Sequence, residues 1–191
     1  MLSLFAAYFL IITFMLIGVR LRVGENAKNL TPGESDRHST GRLGQAFGLA
    51  LILMLLAPLL NYFRLGYWLG SWFPGWLGVV LMVIGIALRV WAARVLGQFY
   101  TRTLLTTSEQ RIVQEGPYHL LRHPGYAGSL LVWIGAGLAA SNWIVFSIIT
   151  LAMIISYAYR MQSEEAMLIA QFGPPYRAYI QRTKRIIPFL Y

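Results

Sequence analysis

Residues Pro124–Tyr159 read PGYAGSLLVWIGAGLAASNWIVFSIITLAMIISYAY, a stretch without a single charge whose polar break is Ser141-Asn142. Two apolar runs on either side of a turn pair form a tight hairpin of membrane helices. The first runs from Pro124, which suits a helix start, to about Ala140, and the second from Trp143 to about Tyr159. Working toward the N-terminus, three more apolar runs appear: Leu2 to Val19, about Gln45 to Tyr62, and Gly75 to about Ala93 behind Pro74. At roughly 1.5 Å per residue, runs of this kind cross a hydrocarbon core of about 30 Å with their flanking residues. The first run has no basic segment before it and no small-residue cleavage site after it, so it reads as a retained helix rather than a signal peptide. The expected fold is an all-α integral membrane protein with five transmembrane helices.

Composition agrees. Of 191 residues, 57% are hydrophobic and 12% charged, and the mean hydropathy is +0.57. The absence of cysteine excludes disulfides, thiolate nucleophiles and cysteine-based metal sites. A net charge of +9 reflects basic residues gathered on one side of a bilayer rather than a nucleic-acid surface. Arg20, Arg22, Lys28, Arg37 and Arg42 fall in the first loop. Arg94, Arg102, Arg111 and Arg122 fall in the third, and Arg160, Arg177, Arg182, Lys184 and Arg185 in the tail. Only Arg64 falls on the other side, so the N-terminus is expected outside and the C-terminus in the cytoplasm. Arg89, inside the third run, is expected to snorkel to the nearby interface, with a cofactor-facing role as the other reading.

Residues 1–93 are thus expected to hold three helices with a polar, flexible loop at about 20–44, in which His38 has no special role. Residues 94–191 are expected to hold the hairpin 124–159, a cytoplasmic tail and the catalytic region. Gly78, Gly85, Gly135 and Gly137 point to close helix packing. There is no internal repeat.

The chemistry concentrates just before the hairpin, in GPYHLLRHPGYAG from Gly116 to Gly128. Such a run is costly in lipid, so it lies in water or lines a solvated cavity. Pro124 pushes His123 toward an extended conformation and opens the fourth helix, placing Arg122 and His123 at a helix N-terminus. That end favours a carboxylate or phosphate, to which Arg122 adds a bidentate pair and Tyr126 a ring or hydroxyl. The same cations suit interfacial anchors on lipid phosphates, and residue chemistry leaves both readings open.

A second polar feature, MQSEEAMLIAQFG, continues the fifth helix beyond the bilayer to Gly173-Pro174. Glu164 and Glu165 project about 100° apart and do not serve one site equally. Glu164 has the spacing to pair with Arg160, leaving Glu165 for Arg122 or a ligand. LGQFYT from Leu96 and RIVQEGPY from Arg111 are expected to wall a cytoplasmic pocket. His119 and His123 with the two glutamates form no recognised ligand spacing, so no metal is expected, and no Gly-rich phosphate loop follows a strand.

In this order, LGQFY, IVQEGPY, RHPGYAG, a hairpin, EEAML, FGPPYRAYI and Pro188 resemble the isoprenylcysteine carboxyl methyltransferase family over roughly the last hundred residues. The resemblance implies an S-adenosylmethionine pocket facing the cytosol and a second opening to the bilayer for a lipophilic substrate. By position, Arg122, His123 and Tyr126 fall on the family's RHPxY, and Glu164 and Glu165 on its paired acids. Gly116, Pro117 and Tyr118 fall on its GPY. These residues, with Val113 and Gln110, are the implied cofactor-binding set. Gln110 stands where the family usually has a histidine, which removes a titratable group and a stacking ring.

The resemblance implies methyl transfer in which alignment and water exclusion do most of the work. A carboxylate acceptor needs no base at pH 7, only a cation to orient it; Arg122 and Glu165 are the catalytic candidates. An amine or phenol acceptor needs a base, for which a glutamate or His123 is available. The expected partners are membrane lipids and a lipophilic small molecule, in a compact form of the prokaryotic plasma membrane. The competing readings are an NADPH-dependent reductase of the sterol-reductase type, on RHPGY and KRIIPFLY, and a non-catalytic membrane scaffold.

Overall fold

The computed structural model describes residues 2–21, 39–68, 72–97 and 112–187. The expectations for Gly24 to His38, for Phe99 to Arg111 including Gln110, and for Pro188 lie outside the described residues. The described residues form six helices: α1 (Leu2–Arg20), α2 (Ser39–Tyr62), α3 (Phe73–Leu96), α4 (Pro124–Ala139), α5 (Trp143–Phe172) and α6 (Pro174–Arg182). A single 3-10 turn, Gly116–His119, precedes α4, and no strand occurs among the described residues.

The chain is an all-helical integral membrane protein. Among the described residues, four helices, α1, α2, α3 and α5, are long and apolar enough to cross a membrane. The fifth expected span, α4, has 16 residues, so at about 1.5 Å per residue it is shorter than a hydrocarbon core of about 30 Å. Its position explains why that suffices: Gly128, Val132, Trp133 and Ala136 are buried, and α4 is the central element against which α1, α3 and α5 pack. Lipid-facing side chains belong to the outer helices, as at Phe9 and Leu55. At 30 residues α5 is longer than a bilayer needs, and its last third projects beyond the apolar zone to carry polar side chains.

Because lipid tails are as apolar as leucine, assembly depends on packing rather than on escape from water. Gly78 and Gly135 face each other, so a methyl group on either would fall on the other's carbonyl oxygen. Gly85 and Gly128 repeat this two turns along, where an added Cβ would sit 2.5 Å and 2.6 Å from the opposing carbonyl. Gly137 meets the backbone of Phe146 on α5. The packing expected of Gly78, Gly85, Gly135 and Gly137 is therefore present, and Gly128, read only as part of the polar motif, joins it.

Trp133 fills the centre, with Phe14 and Phe47 rings at 6.2 Å and 5.3 Å. Pro58 lies inside α2 and has no N–H for the carbonyl of Met54 four residues earlier. The Tyr8 hydroxyl of α1 donates to that carbonyl at 2.8 Å, so the lost helical bond becomes an interhelical one.

The hairpin turn is held by Asn142, which is fully buried. Its Oδ1 accepts from the backbone of Ile144 and Val145 at 3.1 Å, capping α5, and its Nδ2 donates to Asn61 and to the Leu65 carbonyl at 2.8 Å. Asn142→Ala is expected to cost about 2 kcal/mol, since it removes a cap and strands a buried acceptor. Denaturation in detergent checks this; unchanged stability would show that the turn is held by its backbone alone.

Two expectations are corrected. α2 begins at Ser39 rather than near Gln45, so residues 39–44 are helix and not loop. Arg89 does not snorkel: it is buried, donates to the Ser129 hydroxyl of α4, and places its guanidinium 5.0 Å from the Phe14 ring centroid. The close approach of α3 and α4 at Gly85 and Gly128 makes that short crossing available.

Candidate active site

The site is built where the N-terminus of α4, the projecting part of α5 and the segment after α6 meet. Gly116 has φ +56°, a left-handed conformation that turns the chain into GPYH and that a side chain rarely adopts. Tyr118 follows, buried with Val113 against Ala92 of α3. Its carbonyl accepts from the Tyr179 hydroxyl of α6 at 2.7 Å, which fixes α6 beside the start of α4.

Beyond α6 the chain runs parallel to residues 120–123. Arg122 and His123 donate their backbone N–H groups to the carbonyls of Lys184 and Arg185 at 2.7 Å and 3.0 Å, and Lys184 N–H donates to Leu120 at 3.0 Å. This corrects the expected anion site. The N–H groups of Arg122 and His123 are already occupied by the tail, and those of Tyr126 and Ala127 donate to the His123 carbonyl.

Glu165 is the hub. It is 6% exposed, and its carboxylate receives Arg122 Nε at 2.9 Å and a fork from Arg185 at 3.1 Å and 2.8 Å. His123 Nε2 lies 3.2 Å from the same carboxylate, and since an ionised carboxylate only accepts, that nitrogen carries a hydrogen. Burial pushes the Glu165 carboxyl up, but hydrogen bonds from His123, Arg185 and Arg122 outweigh it and hold the group well below the usual carboxylate range. Glu165 is therefore a fixed anion and not a proton acceptor near neutral pH.

Arg122 is the counterpart of this hub. Besides Glu165, its Nη1 donates to the carbonyls of Thr183 and, at 3.1 Å, Ile180. Only Nη2 is left without a hydrogen bond among the described residues, so the expected bidentate grip on a ligand is replaced by a single donor.

The second acid behaves differently. Glu164 Oε2 accepts from the Tyr126 hydroxyl at 2.6 Å and lies 3.9 Å from His123 Nδ1. The His123 and Tyr126 rings are stacked at 5.5 Å and 16°, so the two glutamates flank one aromatic pair. As expected, they do not serve the site equally: Glu165 takes Arg122 and Arg185, whereas Glu164 meets the same stack only from its other edge. Nor is Glu164 simply the partner of Arg160, because the Tyr126 hydroxyl stands between them, accepting from Arg160 Nε at 3.2 Å.

The structure thus brings Arg122, His123, Tyr126, Glu164 and Glu165 together directly. Val113, Gly116, Pro117 and Tyr118 line the adjoining turn, joined to them through Tyr179. Arg185 and Tyr176 escaped the sequence reading. Arg185 was counted only as interfacial charge; Tyr176 is buried, and both burial and the charges of Glu164 and Glu165 push its hydroxyl well up.

A family model described as phospholipid methyltransferase matches residues 73–174. A probable protein-S-isoprenylcysteine O-methyltransferase of Oryza sativa subsp. indica is 30% identical over 121 residues, covering 62% of this chain and 63% of the relative. The cobalt-zinc-cadmium resistance protein CzcN of Cupriavidus metallidurans is 31% identical over 146 residues, covering 73% of this chain and 61% of the relative. The chain therefore spans less than two thirds of the length of these curated relatives. The solved structure of the eukaryotic intramembrane Ras methyltransferase ICMT shares the fold, with a TM-score of 0.62 at 24% identity over 78% of this chain and 53% of that one.

Proposed function

Because this chain belongs to the phospholipid methyltransferase family, we propose that it is a membrane enzyme that transfers the methyl group of S-adenosylmethionine to a carboxylate on a lipophilic acceptor. The observation that carries this reading is the Glu165 hub beside the half-engaged Glu164. The names of the rice relative and of the matched solved structure point the same way.

The donor set fits such a cofactor chemically. Glu164 Oε1 takes no hydrogen bond among the described residues and is suited to an ammonium. When bound, S-adenosylmethionine supplies a methyl group already activated by its sulfonium. What remains for the protein is to orient the acceptor and exclude water. Arg122 Nη2 presents one donor to an acceptor oxygen, and Glu165 keeps that guanidinium in place. The hub contributes no base, which matches a carboxylate acceptor, ionised at pH 7. Were the acceptor an amine, Glu164 is the carboxylate placed to take its proton. The basic residues at this end of the bundle support a cytoplasmic orientation of the site, with the acceptor arriving from the bilayer.

Titration of detergent-purified protein with S-adenosylhomocysteine, beside NADPH, tests the reading. Micromolar binding of the former alone is expected. Arg122→Ala is expected to abolish transfer, and it will also loosen the segment after α6, so Arg122→Lys is its companion. Binding of NADPH instead would overturn the proposal in favour of a reductase, and binding of neither in favour of a scaffold.

A further inference from the structure

Arg160 lies on α5 one turn before Glu164 and is 3% exposed. Its guanidinium works in two directions. Nη1 donates to the hydroxyls of Ser39 and Thr40 in the first turn of α2, at 2.7 Å and 2.8 Å. Nε donates to the Tyr126 hydroxyl at 3.2 Å. A guanidinium has no acceptor, so a phenol oxygen that receives its N–H must turn its own hydrogen elsewhere. In this structure that hydrogen goes to Glu164 Oε2 at 2.6 Å, a short charge-assisted bond. The chain of donors therefore runs one way, from Arg160 through Tyr126 to Glu164.

This polarity matters for the stack. Tyr126 is held between His123 at 5.5 Å and Tyr157 at 5.3 Å, and the bonds of its hydroxyl to Arg160 and Glu164 fix its tilt from the far end. We propose that Arg160 is a positioning residue of the donor site: it sets the direction of the Tyr126 hydroxyl and fastens that arrangement to the first turn of α2 through Ser39 and Thr40. The inference rests on the reading of this cluster as a methyl-donor site, and extends it to a helix that supplies none of the cluster's own side chains. Ser39 and Thr40 act through Arg160, and Arg160 through Tyr126; neither step requires contact with substrate. Lysine cannot replace Arg160, because a point ammonium lacks the planar fork that serves both directions at once.

A double-mutant cycle on the full detergent-purified chain, read as S-adenosylhomocysteine affinity by calorimetry, tests this. Arg160→Lys and Tyr126→Phe are each expected to weaken binding about tenfold, a typical coupling for groups in one network. The double variant should bind about as well as Tyr126→Phe alone. Equal fold losses in both backgrounds would reduce Arg160 to a general packing role and overturn the inference, as would full affinity in Arg160→Lys. Should Arg160→Lys fold poorly, Ser39→Ala with Thr40→Ala replaces it; this pair should weaken binding severalfold with Tyr126 present and have no effect with Phe in its place. A wild-type protein that does not bind S-adenosylhomocysteine would remove the donor reading and this inference with it, whereas normal wild-type binding with an additive cycle removes the inference alone.

Discussion

Glu165→Ala is expected to lower the unfolding free energy by about 3 kcal/mol, because it leaves buried cations without their common carboxylate. Arg122 and Glu165 side chains are only 9% and 8% exposed, so solvent offers little replacement, while the more open Arg185 keeps the figure from rising further. The segment after α6 loses the fork that pins it, so trypsin should cut after Arg182, Lys184 or Arg185 faster than in the wild type. Glu165→Gln keeps the shape and removes the charge, and should resemble alanine more than wild type. Since folding lowers its pKa, Glu165 stabilises the fold fully above the usual carboxylate range, and this is lost as pH falls below that range. The wild-type advantage over Glu165→Gln should therefore hold at neutral pH and shrink in acid. Equal stability and equal digestion of variant and wild type would show that the backbone pairing holds the tail unaided.

The second large effect is expected at the α3 and α4 contact. Gly85→Ala and Gly128→Ala each aim a methyl group at an opposing backbone carbonyl rather than at a flexible side chain. Overpacking usually costs about 1–3 kcal/mol, and the rigid obstacle puts these changes at about 3 kcal/mol each. Gly48→Ala, with open space around its Cα, should be neutral or slightly stabilising in the same helical setting. Thermal unfolding and the yield of monodisperse protein read this directly. If all three variants behaved alike, the close approach of α3 and α4 would not be what orders the bundle.

The spans were legible because hydrocarbon demands long apolar runs, and the charge-free ones at α1, α2 and α5 have no other use. α4 misled on length because an inner helix is supported by protein rather than lipid, a fact that pairs of glycines on separate helices encode only jointly. Arg122 and Glu165 could be matched as opposite charges at the same end of the bundle. Arg185 could not, since a basic residue beside a membrane satisfies the orientation rule whatever it touches. The free helix N-terminus expected at Arg122 and His123 was a correct local deduction, defeated by carbonyls from a segment distant in sequence. Ser39 and Thr40 looked like loop, because nothing local distinguishes the last loop residues from a first helical turn whose hydroxyls meet Arg160.

The pairing of Leu120 to His123 with Lys184 and Arg185 also imposes an order of events during biosynthesis. The strap follows α1 through α6 in the chain, so the ribosome must deliver all six before Glu165 can acquire Arg185. Contacts so far apart in sequence form late in folding. A nascent chain already inserted in the bilayer therefore carries His123, Tyr126 and both glutamates in an unfinished arrangement, and the site matures only when the strap closes over it.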